Sequence, residues 1–275
     1  RTKSSAASDV YKRQDQTLPS INYVSYKSDF TDTTLATVGH EIILTLKTDE
    51  LIQPPIITIA GQSATISDMG GGKWVATYAM QNGDSDGVIP FEVEGILDLS
   101  GNPNSGTAAT TDGSVVIFDN TKPELDIVRI ASNNQDSTWA KVGDMISINF
   151  IANELLISQS VNLNGQAMTI SDLGSEKYLA QYEMTDLDTE GQLSFEIFIT
   201  DSVGLVSDAI VTTSNSSQVI FDKTLPILNQ VNIQSNNQNN SSIAITGDNV
   251  TLTFIPEEPL LADSIVVTIA NEEVT

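Results

Sequence analysis

The chain has 275 residues, 12 of them basic against 36 acidic, for a net charge of −24 with 40% apolar content. That length is enough for two or three domains with cores of their own, and so acidic a balance repels nucleic acid and anionic lipid while attracting cations. The lack of cysteine excludes disulfides and thiolate metal sites, and no apolar run is long enough to span a membrane.

The chain opens with RTKSSAASDVYKRQ, which has no initiator Met and gathers Lys3, Lys12 and Arg13 ahead of an acidic remainder. Its DVYKRQ stretch resembles the translated end of a transposon of the kind used to prepare sequencing libraries. Residues 1–14 are therefore expected to be foreign, and residues 1–17 to lack structure. Beyond them the sequence repeats itself. GQSATISDM at 61–69 returns as GQAMTISDL at 165–173, and KWVATYAM at 73–80 returns as KYLAQYEM at 177–184, both after 104 positions. Val38-Gly39 returns as Val142-Gly143 and then as Thr246-Gly247, and SNNQ at 132–135 recurs at 235–238. Leu18-Pro19, Lys122-Pro123 and Leu225-Pro226 open the three copies. A fixed period of this kind marks a tandem array. The expected modules are 18–121, 122–224 and 225–275, the last breaking off in mid-pattern.

Within the copies the apolar residues alternate with polar ones. VATYAM (75–80), IPFEVEGI (89–96), ISINFIA (146–152), LSFEIFIT (193–200) and TLTFI (251–255) each have the period of two of a half-buried strand. Turn signals separate them at Asn82-Gly83, Asp86-Gly87, Gly101-Asn102-Pro103 and Asn164-Gly165. ANELLISQSVNL (152–163) comes nearest to a helical pattern, but its Val and Ser content reads as a loop followed by a strand. About seven short strands per hundred residues describe an all-β fold, an antiparallel sandwich of immunoglobulin type, repeated end to end. Trp74, Tyr178, Phe91 and Phe195 are the expected large core residues. FDNTKP (118–123) and FDKTLP (221–226) are the hinges: Phe118 and Phe221 end a strand in the core, and a Pro five positions on starts the next module without a backbone donor.

The succession VGDxIxxxF, ANELL, NGQAMTISD, KYLAQYEM, FEIFITDSVG and VIFDKTLP resembles the tandem immunoglobulin-like repeats of large bacterial surface and secreted proteins, of adhesin type. The resemblance covers residues 18–275. The family's Asp-x-x-Gly-Asn turn is met by Asp98 to Asn102, whereas the second copy has Leu205 in place of the Asn. It implies a stalk or adhesive arm, extracellular or on the cell surface, with calcium between modules.

Catalysis is not expected. The single histidine, His40, has Asp144 at the matching position and reads as a solvated residue at a strand entrance, and there is no phosphate loop, zinc spacing or nucleophile elbow. Calcium suits the residues better, since it takes six to eight hard oxygen ligands in irregular geometry. In a sandwich of this topology Glu154, Asp201 and the linker residue Asp119 arrive at one pole. Glu50 and Asp98 in the first copy, and Asp222 and Glu258 in the third, are the matching candidates. The alternative is that all seven are solvated surface acids. The expected function is a non-catalytic spacer whose partners are neighbouring modules, with no nucleic acid and no membrane insertion. Direct adhesion to a glycan or protein, and an accessory region of a secreted polysaccharide-degrading enzyme, are the alternatives.

Overall fold

A computed structural model describes residues 15–260 and 265–273, so the expectation for residues 1–14 lies outside the described residues. All regular structure among them is strand. The first repeat has β1 (Ile21–Ser28), β2 (Leu35–Ala36), β3 (Glu41–Thr48), β4 (Ile56–Ile59), β5 (Gln62–Ser63), β6 (Thr65–Asp68), β7 (Lys73–Ala79), β8 (Gly87–Val88), β9 (Phe91–Glu94) and β10 (Ile117–Phe118). The second has β11 (Leu125–Ser132), β12 (Trp139–Ala140), β13 (Met145–Ala152), β14 (Leu156–Leu163), β15 (Gln166–Ala167), β16 (Thr169–Gly174), β17 (Lys177–Glu183), β18 (Gly191–Gln192), β19 (Phe195–Asp201) and β20 (Ile220–Phe221). Then come β21 (Leu228–Ser235), β22 (Val250–Pro256), β23 (Thr268–Ile269) and β24 (Glu272–Glu273). From Ile21 to Leu125 is 104 positions, and the period of the sequence is thus also the period of the strands.

The strand order identifies the fold. One sheet runs β1-β3-β7-β6 and the facing one β5-β4-β9, the latter extended where Val93 bridges Thr107. These are the four-stranded and three-stranded sheets of an immunoglobulin-like sandwich. The second repeat gives the same orders, β11-β13-β17-β16 and β15-β14-β19. A third, short sheet closes each copy: β10 pairs in parallel with β2 and antiparallel with β8, as β20 does with β12 and β18. The protein is thus a tandem of immunoglobulin-like β-sandwiches.

Alternation decides which faces are buried. In β3 every second residue, Ile42, Leu44, Leu46 and Thr48, points inward, and in β13 Ile146, Ile148, Phe150 and Ala152 do. Trp74, Phe91, Tyr178 and Phe195 are all buried, as expected. Tyr26 packs on Phe91 with centroids 5.1 Å apart, and Phe150 stacks on Tyr178 at 5.2 Å. Phe118 and Phe221 are fully buried. The segment 152–163 is a loop and then β14, not a helix.

By density of contacts the chain forms two compact units. The first comprises residues up to Arg129 with Ile148–Gln181 and Ser194–Ser216, and holds β1 to β10 and the β15-β14-β19 sheet. The second comprises Ile130–Ser147, Tyr182–Leu193 and Ser217–Thr275, and holds the β12-β20-β18 sheet and the β21-β22 and β23-β24 pairs.

One turn differs between repeats for a steric reason. Thr48, buried at the end of β3, donates its hydroxyl to the Glu50 carbonyl at 2.6 Å, and its N–H reaches the Gly72 carbonyl at 2.9 Å. Gly72 has φ +77°, and a Cβ there would lie 2.7 Å from the Glu50 carbonyl oxygen and 2.9 Å from the Thr48 hydroxyl. At the matching position the second repeat has Glu176, which accepts from the N–H of Ala152, a residue with no hydroxyl to collide with. Gly72→Ala is accordingly expected to destabilise the chain by about 1–3 kcal/mol. Adding Thr48→Ala should recover part of that loss, which a double-mutant cycle by denaturant unfolding measures; strict additivity would mean the hydroxyl is not the obstacle.

Candidate cation sites

Each repeat is entered through the same five-residue phrase: Asp15-Gln16-Thr17-Leu18-Pro19, Asp119-Asn120-Thr121-Lys122-Pro123 and Asp222-Lys223-Thr224-Leu225-Pro226. In each, an Asp Oδ1 accepts the N–H of the Thr two residues on, at 3.0, 3.0 and 2.9 Å, a side-chain turn that bends the linker. The parallel ladder sets where that bend starts. Asp119 continues β10 by donating its N–H to the Ala36 carbonyl at 2.9 Å, and Asp222 donates likewise to Ala140.

The linker is also tied to the repeat it leaves. Asp86 accepts the Asn120 N–H at 2.8 Å and the Thr121 hydroxyl, while the Asn120 side chain donates to Asn82 at 2.7 Å. At the next junction Glu190 accepts the Lys223 N–H at 2.8 Å and the Thr224 hydroxyl at 2.7 Å. Those bonds, the Thr224 hydroxyl first, hold the Glu190 carboxyl below its ordinary pKa. Asp86 and Glu190 lie 104 positions apart, so the repeat register is the signal that pairs them; as sequence, Asp86-Gly87 reads only as a turn.

The acids meet where the linker enters the next repeat. Asp201 ends β19 and starts a five-residue turn to Leu205: its Oδ1 accepts the N–H groups of Val203 and Leu205, both at 2.9 Å, and Gly204 sits at φ 89°, where only glycine is unstrained. Leu156 pairs with Asp201, and Glu154 lies two residues before it in the loop that precedes β14. One carboxylate oxygen each from Asp119, Glu154 and Asp201 then lies within 4.8 Å of the others. An ion about 2.4 Å from each oxygen reaches that far, twice its ligand distance. Asp201 has no exposed surface, and its Oδ2 has no hydrogen-bond partner. Buried polar atoms are almost always partnered, so an orphan carboxylate oxygen beside two other carboxylates fits a hard cation.

The matching turn of the first repeat, Asp98 to Asn102, has the same frame. Asp98 is buried, its Oδ1 accepts from the N–H groups of Ser100 and Asn102 at 2.8 and 2.7 Å, and Gly101 has φ 93°. Its cluster is Asp15, Glu50 and Asp98, again within 4.8 Å, and here the orphan atom is Glu50 Oε1. Sequence reasoning had Glu50 and Asp98 but not Asp15, which the basic opening obscured although 15–19 repeats the phrase of 222–226. Asp222 and Glu258 belong to no cluster of three among the described residues. His40 is more than solvated: its Nδ1 lies 2.8 Å from Asp29 and its ring meets Phe30 edge-on at 4.9 Å.

Electrostatics separates the two clusters. Burial pushes the Asp201 carboxyl up, with the Asp119 charge adding to the rise and the turn N–H groups opposing it. Burial, then Asp119 and Asp201, likewise raise Glu154, and burial, then Asp15, Asp98 and Asp49, raise Glu50. Asp98 goes the other way: burial works upward, but the Asn102 side chain and the turn N–H groups carry it below the ordinary value.

No protein-family model and no curated protein matches the chain. Among solved structures it is similar to the fibronectin(III)-like modules of Clostridium thermocellum CbhA, at 12% identity over 73% of this chain and 94% of that one, TM-score 0.30. It is also similar to the SGBP-B protein of the Bacteroides ovatus mixed-linkage glucan utilization locus, solved with a mixed-linkage heptasaccharide, at 16% identity over 76% of this chain and 47% of that one, TM-score 0.21. A third is the A168–A170 segment of titin, at 12% identity over 86% of this chain and 74% of that one, TM-score 0.27. The immunoglobulin-like assignment rests on the strand order given above.

A carboxyl raised by folding stabilises the protein below its unfolded value of about 4, and that contribution is lost as pH rises through the folded value. With cations chelated, wild type should therefore lose stability relative to Asp201→Asn as pH rises from about 4 to neutrality, read by equilibrium unfolding at successive pH values. A difference independent of pH would mean the cluster is not strained when free of ions.

Proposed function

We propose that this chain is a non-catalytic segment of an extended arm of a bacterial extracellular or cell-surface protein, and that calcium joins the linker to the following repeat. The observation that carries the reading is the buried, unpartnered Oδ2 of Asp201, set in a trio of carboxylates drawn from the linker, a loop and a turn. Asp119 would tie the ion to the linker, and Glu154 and Asp201 to the sandwich. Asp86 holds the other side of the same linker, so an ion here stiffens a joint already seated on the repeat before it. Calcium sites of extracellular modules bind at about 10⁻⁴–10⁻³ M, a range that extracellular calcium fills. The ligand set is entirely hard oxygen, and magnesium, which demands a regular octahedron, should compete poorly.

Direct adhesion draws less support. Among the described residues the large exposed aromatics are Tyr23 and Trp139, one on each repeat, so neither repeat presents a cluster of them for sugar rings.

The test is calorimetric titration of the whole chain with calcium, beside an Asp119→Asn, Asp201→Asn variant. Wild type should bind, gain about 2.7 kcal/mol of stability at one hundred times the dissociation constant, and lengthen in solution scattering. Equal, near-zero heats for both proteins would reduce the clusters to solvated charge.

A further inference from the structure

The two clusters share a turn but differ at its fifth residue, and that residue changes what holds the linker. In the first site the Asn102 side-chain amide donates to Asp98 Oδ2 at 2.6 Å and to the Asp15 backbone carbonyl at 3.1 Å. Both partners are acceptors, so the amide nitrogen must face them. One side chain therefore bridges the linker to the buried carboxylate of the turn. In the second site Leu205 stands in that place, half-buried and without a donor, and Asp201 Oδ2 is left orphaned. The backbone frame is otherwise the same: Asp98 N–H to Asn102 carbonyl at 3.0 Å, Asp201 N–H to Leu205 carbonyl at 3.1 Å.

We propose that the two joints are regulated differently: Asn102 links Asp15 to Asp98 without an ion, whereas Asp119 and Asp201, with Leu205, are linked only when a cation is bound. The exposed Lys122–Asp208 ion pair is the other side-chain tie there. This deepens the reading above and rests on it for the identity of the cation. The asymmetry makes the second joint the one whose closure responds to the surrounding calcium concentration, while the first, although its Glu50 Oε1 also lacks a partner, is held by Asn102 with or without an ion. Asn102 is in this view a substitute for the ion's cross-link and not one of its ligands. Asp49, which accepts the Ser20 N–H at 2.7 Å, supplies a further acid beside Glu50 where the second repeat has the neutral Asn153. The first site is thus the more negative of the two, and charge alone would make it the more dependent on a cation. Hydrogen bonding predicts the reverse, and so the two effects are separable by experiment.

Amide hydrogen exchange on the full chain, with Leu205→Asn and Asn102→Leu beside wild type, reads each joint locally. In chelator, Leu205→Asn is expected to slow exchange at 119–122 and 201–205 by about tenfold or more, the worth of a hydrogen bond to a charged group. Asn102→Leu should speed exchange at 98–102 by a similar factor. With calcium at one hundred times the dissociation constant, wild-type exchange at 201–205 should fall by about a hundredfold relative to chelator. If both variants exchange like wild type in chelator, the amide carries no joint and the inference is overturned. If Asn102→Leu instead weakens calcium binding at the first site, Asn102 is a ligand, and the inference is likewise overturned. Calcium that alters neither joint in wild type would defeat the cation reading, while the chelator comparison still judges the role of Asn102.

Discussion

The chain must leave one sandwich and enter the next within five residues, and most of the molecule's chemistry follows from that. Phe118 is fully buried and Pro123 is buried again. Between them the backbone can complete neither a strand nor a helix, so its polar groups need side-chain partners. Asp119 supplies one from within by accepting the Thr121 N–H, and from the repeat behind Asp86 accepts the Asn120 N–H and the Thr121 hydroxyl. On the side facing forward, Lys122 pairs with Asp208 at 2.6 Å, and the carboxylates of Asp119, Glu154 and Asp201 gather. The joint thus has its donors satisfied on one side and gathers carboxylates on the other.

The same logic explains part of the acidity. With no helix among the described residues, much of the carboxylate content serves turns. Asp32, Asp112 and Asp136 each accept from a hydroxyl-bearing residue two positions on, and each is lowered below its ordinary pKa, by side-chain hydrogen bonds first. Such groups favour the folded state above the ordinary carboxylate range and lose that effect in acid. Glu154 and Asp201 run against them. These two sets of acids therefore respond to pH in opposite directions.

Much of the fold is legible in the sequence because two periods coincide there: 2 residues within strands and 104 between repeats. Burial of alternate residues in β3 and β13 follows directly from their sequences. The trio of Asp119, Glu154 and Asp201 is legible too, since topology alone brings those loops to one pole. What escapes is what depends on single side chains reaching backbone atoms. Asp86 and Glu190 look like ordinary loop acids, because a carboxylate accepting N–H groups leaves no pattern in hydrophobicity. Asp15 is masked in the sequence by the basic residues before it. The Asn102-to-Leu205 difference is visible as a departure from the repeat, yet its effect, an oxygen without a partner, is a fact of three dimensions.

The short parallel ladder between β2 and β10 has a mechanical meaning. β2 lies near the entrance of the repeat and β10 at its exit, and the two run in the same direction. Tension applied at the two ends therefore pulls them past each other along their length. The Ile117 N–H to Thr34 and Asp119 N–H to Ala36 bonds, 2.8 and 2.9 Å long, share that load and must yield together. Strands peeled sideways would surrender one bond at a time. The same Asp119 that ends this ladder carries the junction carboxylate, so load arriving from the following repeat enters the ladder through that residue.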